Sequence, residues 1–175
     1  MDAQPPRWLY LLRHAKSSWT DPGLDDRDRP LAQRGEEAVR RLRRYISDHP
    51  QEAPELVLCS SARRTTMTLD GITDALPARV DTRIEDELYA ASSRRLLERL
   101  RGVADDVSRV MVVGHNPGLE DLALLLVAQT DDAASRRMST KFPTGALATL
   151  TFAGSWADLA PGTATLESFV VPRDL

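Results

Sequence analysis

The sequence predicts a three-layer α/β sandwich, a mostly parallel sheet with helices packed on both faces. Three observations carry this reading. Short continuous apolar runs recur along the chain, as strands buried on both faces require. Segments with an apolar stripe at helical spacing alternate with those runs. Three of the runs also end in polar, chemically capable residues, as expected where ligands gather at the carboxyl ends of strands in open α/β sheets.

The first strand is Arg7-Trp8-Leu9-Tyr10-Leu11-Leu12, which delivers Arg13-His14 at its end. Ser17 to Pro30 follows with Asp, Gly, Pro and Arg but no period, and is read as a loop over that sheet edge. A helix is expected from Ala32 to Asp48, with Val39, Leu42, Tyr45 and Ile46 on one stripe. Glu55 to Ser60 is the second apolar run, and Ala62 to Leu76 the helix after it. Ser92 to Val103 is helical, Arg109 to His115 is a strand rich in β-branched residues, and Leu119 to Val127 is helical again. Gln129 to Pro143 is read as a second loop. Two later strands, Gly145 to Phe152 and Thr165 to Val170, extend the sheet. No repeat, low-complexity tract or composition break divides the chain. With 42% apolar and 28% charged residues, positions 1–175 read as a single domain with a sizeable core.

Charge and composition exclude several function classes. A net charge of −3 and a pI near 5.6 argue against a nucleic-acid partner, while leaving local arginine clusters able to hold a small anion. The apolar run Trp8 to Leu12 is too short for a membrane span or a signal core. The lone Cys59 fits a reducing compartment, and the expected location is the cytoplasm. Three histidines, one cysteine and no His-x-His or His-Glu-x-x-His spacing predict neither a metal nor another cofactor.

The chemistry concentrates at three strand ends. A neutral imidazole is nucleophilic, and a guanidinium beside it can hold phosphate oxygens bidentately, which makes Arg13-His14 the sharpest pair. Gly114-His115-Asn116-Pro117-Gly118 places a second imidazole and a tight turn on the same edge. Ser60-Ser61-Ala62-Arg63-Arg64-Thr65 opens a helix with two guanidinium groups and free backbone donors, a cradle for phosphate.

These segments resemble the histidine phosphatase superfamily. Leu11 to Trp19 looks like its Arg-His-Gly/Ala signature, in the Arg-His-Ala-Lys-Ser form of SixA-like members. Arg29-Pro30-Leu31 with Arg34-Gly35 resembles the family's loop and first-helix start, and Val113 to Gly118 its second-histidine turn. Ser60 to Thr68 is similar to the Ser-Pro-Ala-x-Arg-Ala-x-x-Thr segment, with Ser61 in place of Pro and Thr65 in place of Ala. The resemblance implies the phosphoglycerate mutase-like fold and a phosphohistidine enzyme intermediate. His14 would be the nucleophile, Arg13 and Arg64 would bind the equatorial oxygens, and His115 would donate to the phosphoryl group. Arg64 is preferred to Arg63 by register. Such a site positions charge around a loose transition state without a metal.

The general acid is less well marked. Relatives take a glutamate from a loop after the third core strand, and Arg83 to Tyr89 is the matching region here, lacking the full Leu-x-Glu-x-x-Tyr-Gly pattern. Glu87 is the first candidate and Glu85 the second, against the alternative of an acidic loop face with no chemical role. Ser17, Asn116 and Trp19 are candidate substrate contacts, Trp19 either as pocket wall or as loop anchor. Arg34, Arg40, Arg41, Arg43 and Arg44 are read as a solvated helix face, with attraction of an acidic partner as the alternative. The expected substrate is phosphohistidine in a protein. The alternatives are a small phosphate ester on the same chemistry, or a module that holds phosphoproteins without turnover.

Overall fold

The computed structural model describes residues 5–50 and 53–175. Among them are six strands: β1 (Arg7–Arg13), β2 (Leu56–Ser60), β3 (Asp81–Glu85), β4 (Arg109–Gly114), β5 (Leu147–Phe152) and β6 (Thr165–Val170). Five α-helices connect them: α1 (Gln33–Ser47), α2 (Arg63–Ile72), α3 (Ser93–Arg101), α4 (Gly118–Leu126) and α5 (Ala133–Thr140). The strand order is β3-β2-β4-β1-β5-β6. β1 to β4 are mutually parallel, whereas β5 and β6 extend the sheet antiparallel.

Strand alternation separates two cores. Leu9 and Leu11, Leu56 and Leu58, and Val110 and Val112 point to one face, where α3, α4 and α5 cover them. Tyr10 and Leu12, Val57 and Cys59, and Met111 and Val113 point to the other, under α1 and α2. Successive strand residues face opposite sides, so a run apolar at every position needs a helix layer on each. The three-layer sandwich predicted from the sequence is therefore the architecture found.

Two elements depart from the sequence reading. Gln129 to Pro143 is not a loop throughout, because α5 occupies its middle. Asp132 caps this helix by accepting from the Ser135 N–H, and Ser135 and Met138 are its buried residues, too few to leave a periodic signal. The acid region Arg83 to Tyr89 begins in β3, a polar edge strand paired only with β2, and continues as a 3-10 turn at Asp86–Leu88. An edge strand exposed on most residues carries no hydrophobic pattern to find.

The start of α1 is pinned to the loop behind β1. The Ala32 N–H donates to the Lys16 carbonyl, and a Cβ on Gly35 would come within 2.2 Å of that same oxygen. Gly35→Ala should therefore force the helix away from the segment that follows His14 and cost about 1–3 kcal/mol, read as a lower urea midpoint. An unchanged midpoint would show that the contact yields freely.

Candidate active site

The parallel strands β1, β2 and β4 end at one edge of the sheet, which brings His14, Ser60 and His115 together. The His14 and His115 rings lie 5.3 Å apart between centroids, inclined at 53°. His14 Nδ1 is 2.7 Å from the Ala15 carbonyl. A carbonyl only accepts, so Nδ1 carries the proton and Nε2 keeps its lone pair. The Ala15 N–H in turn donates to the Thr68 hydroxyl, which donates to the Arg64 carbonyl, tying the His14 segment to α2. His115 Nε2 is 2.7 Å from Ser60 Oγ, and its buried Nδ1 has no protein partner among the described residues.

Both imidazoles are buried and neutral at physiological pH. Desolvation pushes His14 down to about 4, with Arg64 and Arg13 lowering it further against the opposing Ala15 contact. Desolvation and then the neighbouring His14 and Arg64 push His115 down to about 3. Ring-proton NMR titration should place both midpoints well below the ordinary histidine value of roughly 6.5, and a midpoint near that value for either ring would contradict the burial. The stability consequence has a definite sign. The unfolded chain protonates these rings near pH 6.5 while the folded one does not, so stability held above that pH should erode as pH falls toward 4 and 3. Urea midpoints at pH 7 and pH 5 check this.

Two guanidinium groups flank the rings. Arg13 donates from Nη1 to the Phe142 carbonyl at 2.8 Å, and its buried Nε has no protein partner. Asn116 Nδ2 donates to that same carbonyl at 3.0 Å and to Glu120 at 2.9 Å, so Asn116 shares the anchor of Arg13. Of the two adjacent arginines on α2, Arg63 faces solvent and Arg64 is 8% exposed, turned to the histidines. Arg64 donates to the Asp26 carbonyl at 2.6 Å and to its carboxylate at 2.9 Å. The Tyr89 hydroxyl donates to the same carboxylate at 2.7 Å, and its ring meets His115 edge-on at 5.6 Å. The Tyr89 hydrogen bond and Arg64 together hold the Asp26 carboxyl below the usual carboxylate range. Ala90, just after Tyr89, takes φ 51°, the left-handed region that favours the glycine of the family pattern.

Both acid candidates pair with arginines of α3. Glu85 forms a bidentate pair with Arg99, its closest contact 2.7 Å, and Glu87, with a side chain 70% exposed, lies 3.3 Å from Arg95. The carboxylate that the fold does bring beside Arg64 is Asp26, from the aperiodic loop Ser17 to Pro30. Asp26 opens a one-turn 3-10 helix, and the loop around it is held by Arg29, which donates to the Asp21 and Leu24 carbonyls. Arg27 bonds both Ser61 and Asp86 across the same rim. Trp19 is 64% exposed, with the Arg29 guanidinium 4.0 Å from its ring centroid, which places it as an anchor on this loop. Ser17 is buried in a backbone bridge to Leu31. Among the described residues no cluster of three or more His, Cys, Asp or Glu side chains converges as a metal site, and no helix is long and apolar enough to cross a membrane.

Comparison with known proteins matches this geometry to a family. The sequence model of the histidine phosphatase superfamily (branch 1) matches residues 9–90. An uncharacterized protein of Mycobacterium tuberculosis is 41% identical over 164 residues, covering 93% of this chain and 100% of the relative. A structure from Nakamurella multipartitia, provisionally named phosphohistidine phosphatase SixA, superposes with a TM-score of 0.83 at 32% identity, covering 98% of this chain and 99% of that one. A second such structure, from Agrobacterium tumefaciens, gives a TM-score of 0.80 at 30% identity over 97% and 100% of the two chains. Likeness over the full fold, joined to a paired-histidine edge with two inward guanidinium groups, makes this chain a phosphatase belonging to the SixA-like members of the histidine phosphatase superfamily.

Proposed function

We propose that the chain removes phosphate from phosphohistidine in a protein, through a phosphohistidine intermediate on His14, in the cytoplasm. The observation that supports this substrate most directly is the disposition of the carboxylates. Glu85 and Glu87 are held by Arg99 and Arg95, and Asp26 is ionised between Arg64 and Tyr89. An alkoxide leaving group needs a proton from the protein, which an ionised carboxylate does not supply. Phosphohistidine does not need it. With its other ring nitrogen protonated, the departing group is a neutral imidazole whose conjugate acid has a pKa of roughly 6.5.

The steps then balance without a cofactor. The Nε2 lone pair of His14 attacks phosphorus while the substrate P–N bond breaks and its electron pair returns to the departing imidazole. Arg13 and Arg64 carry the charge on the equatorial oxygens, Arg64 turning from Asp26 to the phosphoryl group. With Ser60 donating to Nε2 of His115, the Nδ1–H of that ring would be left to hydrogen-bond a phosphoryl oxygen. Water then attacks the phosphoenzyme, the P–N bond to His14 breaks, and phosphate leaves.

Asp26 also favours a second reading. Beside a phosphoryl dianion its carboxyl would take up a proton more readily and could serve esters as the acid. Turnover of a phosphohistidine peptide, an aryl phosphate and an alkyl phosphate should fall in that order for the wild type. Alkyl phosphate hydrolysis as fast as the others, selectively lost in Asp26→Asn or Glu87→Gln, would establish the ester reading instead.

A further inference from the structure

Seven cations that the phosphate chemistry leaves unused gather on one flank of the catalytic edge. Two cavities of about 500 and 510 Å³ adjoin there and share Pro143, Val171 and Arg173. Lys16, Arg34 and Arg41 line the one beside α1, and Arg136, Arg137 and Lys141 the one beside α5, with Arg173 between them. Carboxylates offset only part of this charge: Asp131 pairs with Arg136, Asp174 with Arg137 and at 3.6 Å with Arg173, and Glu37 lines the α1 side. Lys16, Arg34, Arg41 and Lys141 are exposed and have no ion-pair partner among the described residues. In a chain of net charge −3, such a local excess creates a field that attracts an anion to this flank.

The flank is joined to the phosphate site. β5 runs antiparallel to β1 and β6 antiparallel to β5, so the start of β5 and the end of β6 lie at the edge where β1 delivers His14. The turn before β5 serves both places. Its Phe142 carbonyl holds Arg13, its Gly145 N–H donates to the Arg13 and His14 carbonyls, and its Pro143 and Thr144 line the groove. Lys16 stands two residues after His14.

We propose that this cationic flank seats an acidic segment of the phosphohistidine-bearing substrate protein, a reading that rests on the function proposed above. Two strand spacings, about 10 Å, separate β1 from β6, which about three residues of extended chain can span. Acidic side chains three or more residues from the phosphohistidine would therefore reach Arg173 and the cations around it. An acidic peptide fits better than a nucleic acid. Pro143 and Val171 add apolar lining to both cavities and Phe169 to the one beside α5, and neither cavity has an exposed aromatic ring on which a base could stack.

The test uses peptides phosphorylated on one histidine, carrying four Glu or four Gln that begin three residues to either side of it. At low ionic strength the wild type should show a kcat/KM about tenfold higher for a Glu peptide than for its Gln counterpart, and added salt should remove the difference. Arg41→Glu/Lys141→Glu should abolish that preference while hydrolysing a small aryl phosphate as the wild type does. Should this variant also lose aryl phosphate turnover, the neutral Arg41→Gln/Lys141→Gln decides by the same comparison. Equal turnover of Glu and Gln peptides, or a preference that survives the substitutions, overturns the docking surface alone. If a short oligonucleotide then binds the wild type and not the variant, the flank belongs to a nucleic acid. Aryl phosphate turnover with none on any phosphohistidine peptide overturns the phosphohistidine reading and the docking with it.

Discussion

His14→Ala is expected to abolish turnover, with a loss on the order of 10⁴-fold or more, the scale seen when a covalent nucleophile is removed from a hydrolase. The expectation follows from the ring's setting. Its Nδ1 proton is fixed on the Ala15 carbonyl, so the lone pair sits on Nε2, and burial keeps the ring neutral down to about pH 4. A neutral imidazole held in one tautomer, beside two guanidinium groups, is a nucleophile that needs no base to activate it. Labelled substrate quenched during turnover should leave phosphate on the wild type and none on His14→Ala. The adduct should be acid-labile and stable in alkali, as a phosphoramidate is. Equal labelling of both proteins would move the covalent step to another residue, and His115 would be the first to examine.

The second large effect is expected at Arg64. Loss of a guanidinium that stabilises transition-state charge commonly costs on the order of 10²-fold or more in rate. Arg64→Ala should reach that range while Arg63→Ala stays within a few-fold of the wild type. Successive residues of a helix project about 100° apart, and it is Arg64 that is turned inward. The side chain has a second duty, since it also anchors the loop through the Asp26 carbonyl. Asp26→Ala separates the two, because it removes the side-chain half of that anchor and leaves the guanidinium. If the Arg64 effect is chemical, Arg64→Ala should lower kcat far more than Asp26→Ala does, and Arg64→Lys, which keeps charge but loses the fork, should fall between. A crippled Arg63→Ala beside a near-normal Arg64→Ala would reverse the assignment.

The acid question shows where local sequence stops being informative. Glu87 and Glu85 sit in the segment that matches the family's acid region, and nothing in that segment reveals that Arg95 and Arg99 on α3 take them. Asp26 lies 38 residues from Arg64 and 63 from Tyr89, so its place beside the site exists only once the loop before α1, α2 and the turn after β3 have packed together. No spacing rule spans such distances, because the partner of an exposed polar side chain is set by which distant element folds against it.

What the sequence by itself determined is the frame and the strand ends that carry the candidate site. Strands buried on both faces must be apolar at every position, so β1, β2 and β4 are legible as runs, and their polar ends mark His14, Ser60 and His115. The polar edge strand β3 and the short α5 were not legible, because each buries too little to impose a period. Tertiary structure alone decided that β5 and β6 run antiparallel and that Asp26 stands by Arg64. It alone gathered Lys16, Arg41, Lys141 and Arg173 from four separate stretches of chain into one flank. The physical reason is common to all of these: burial of apolar surface acts at short range along the chain and leaves a periodic trace. Charge pairing and edge placement depend on neighbours that only the folded chain brings within reach.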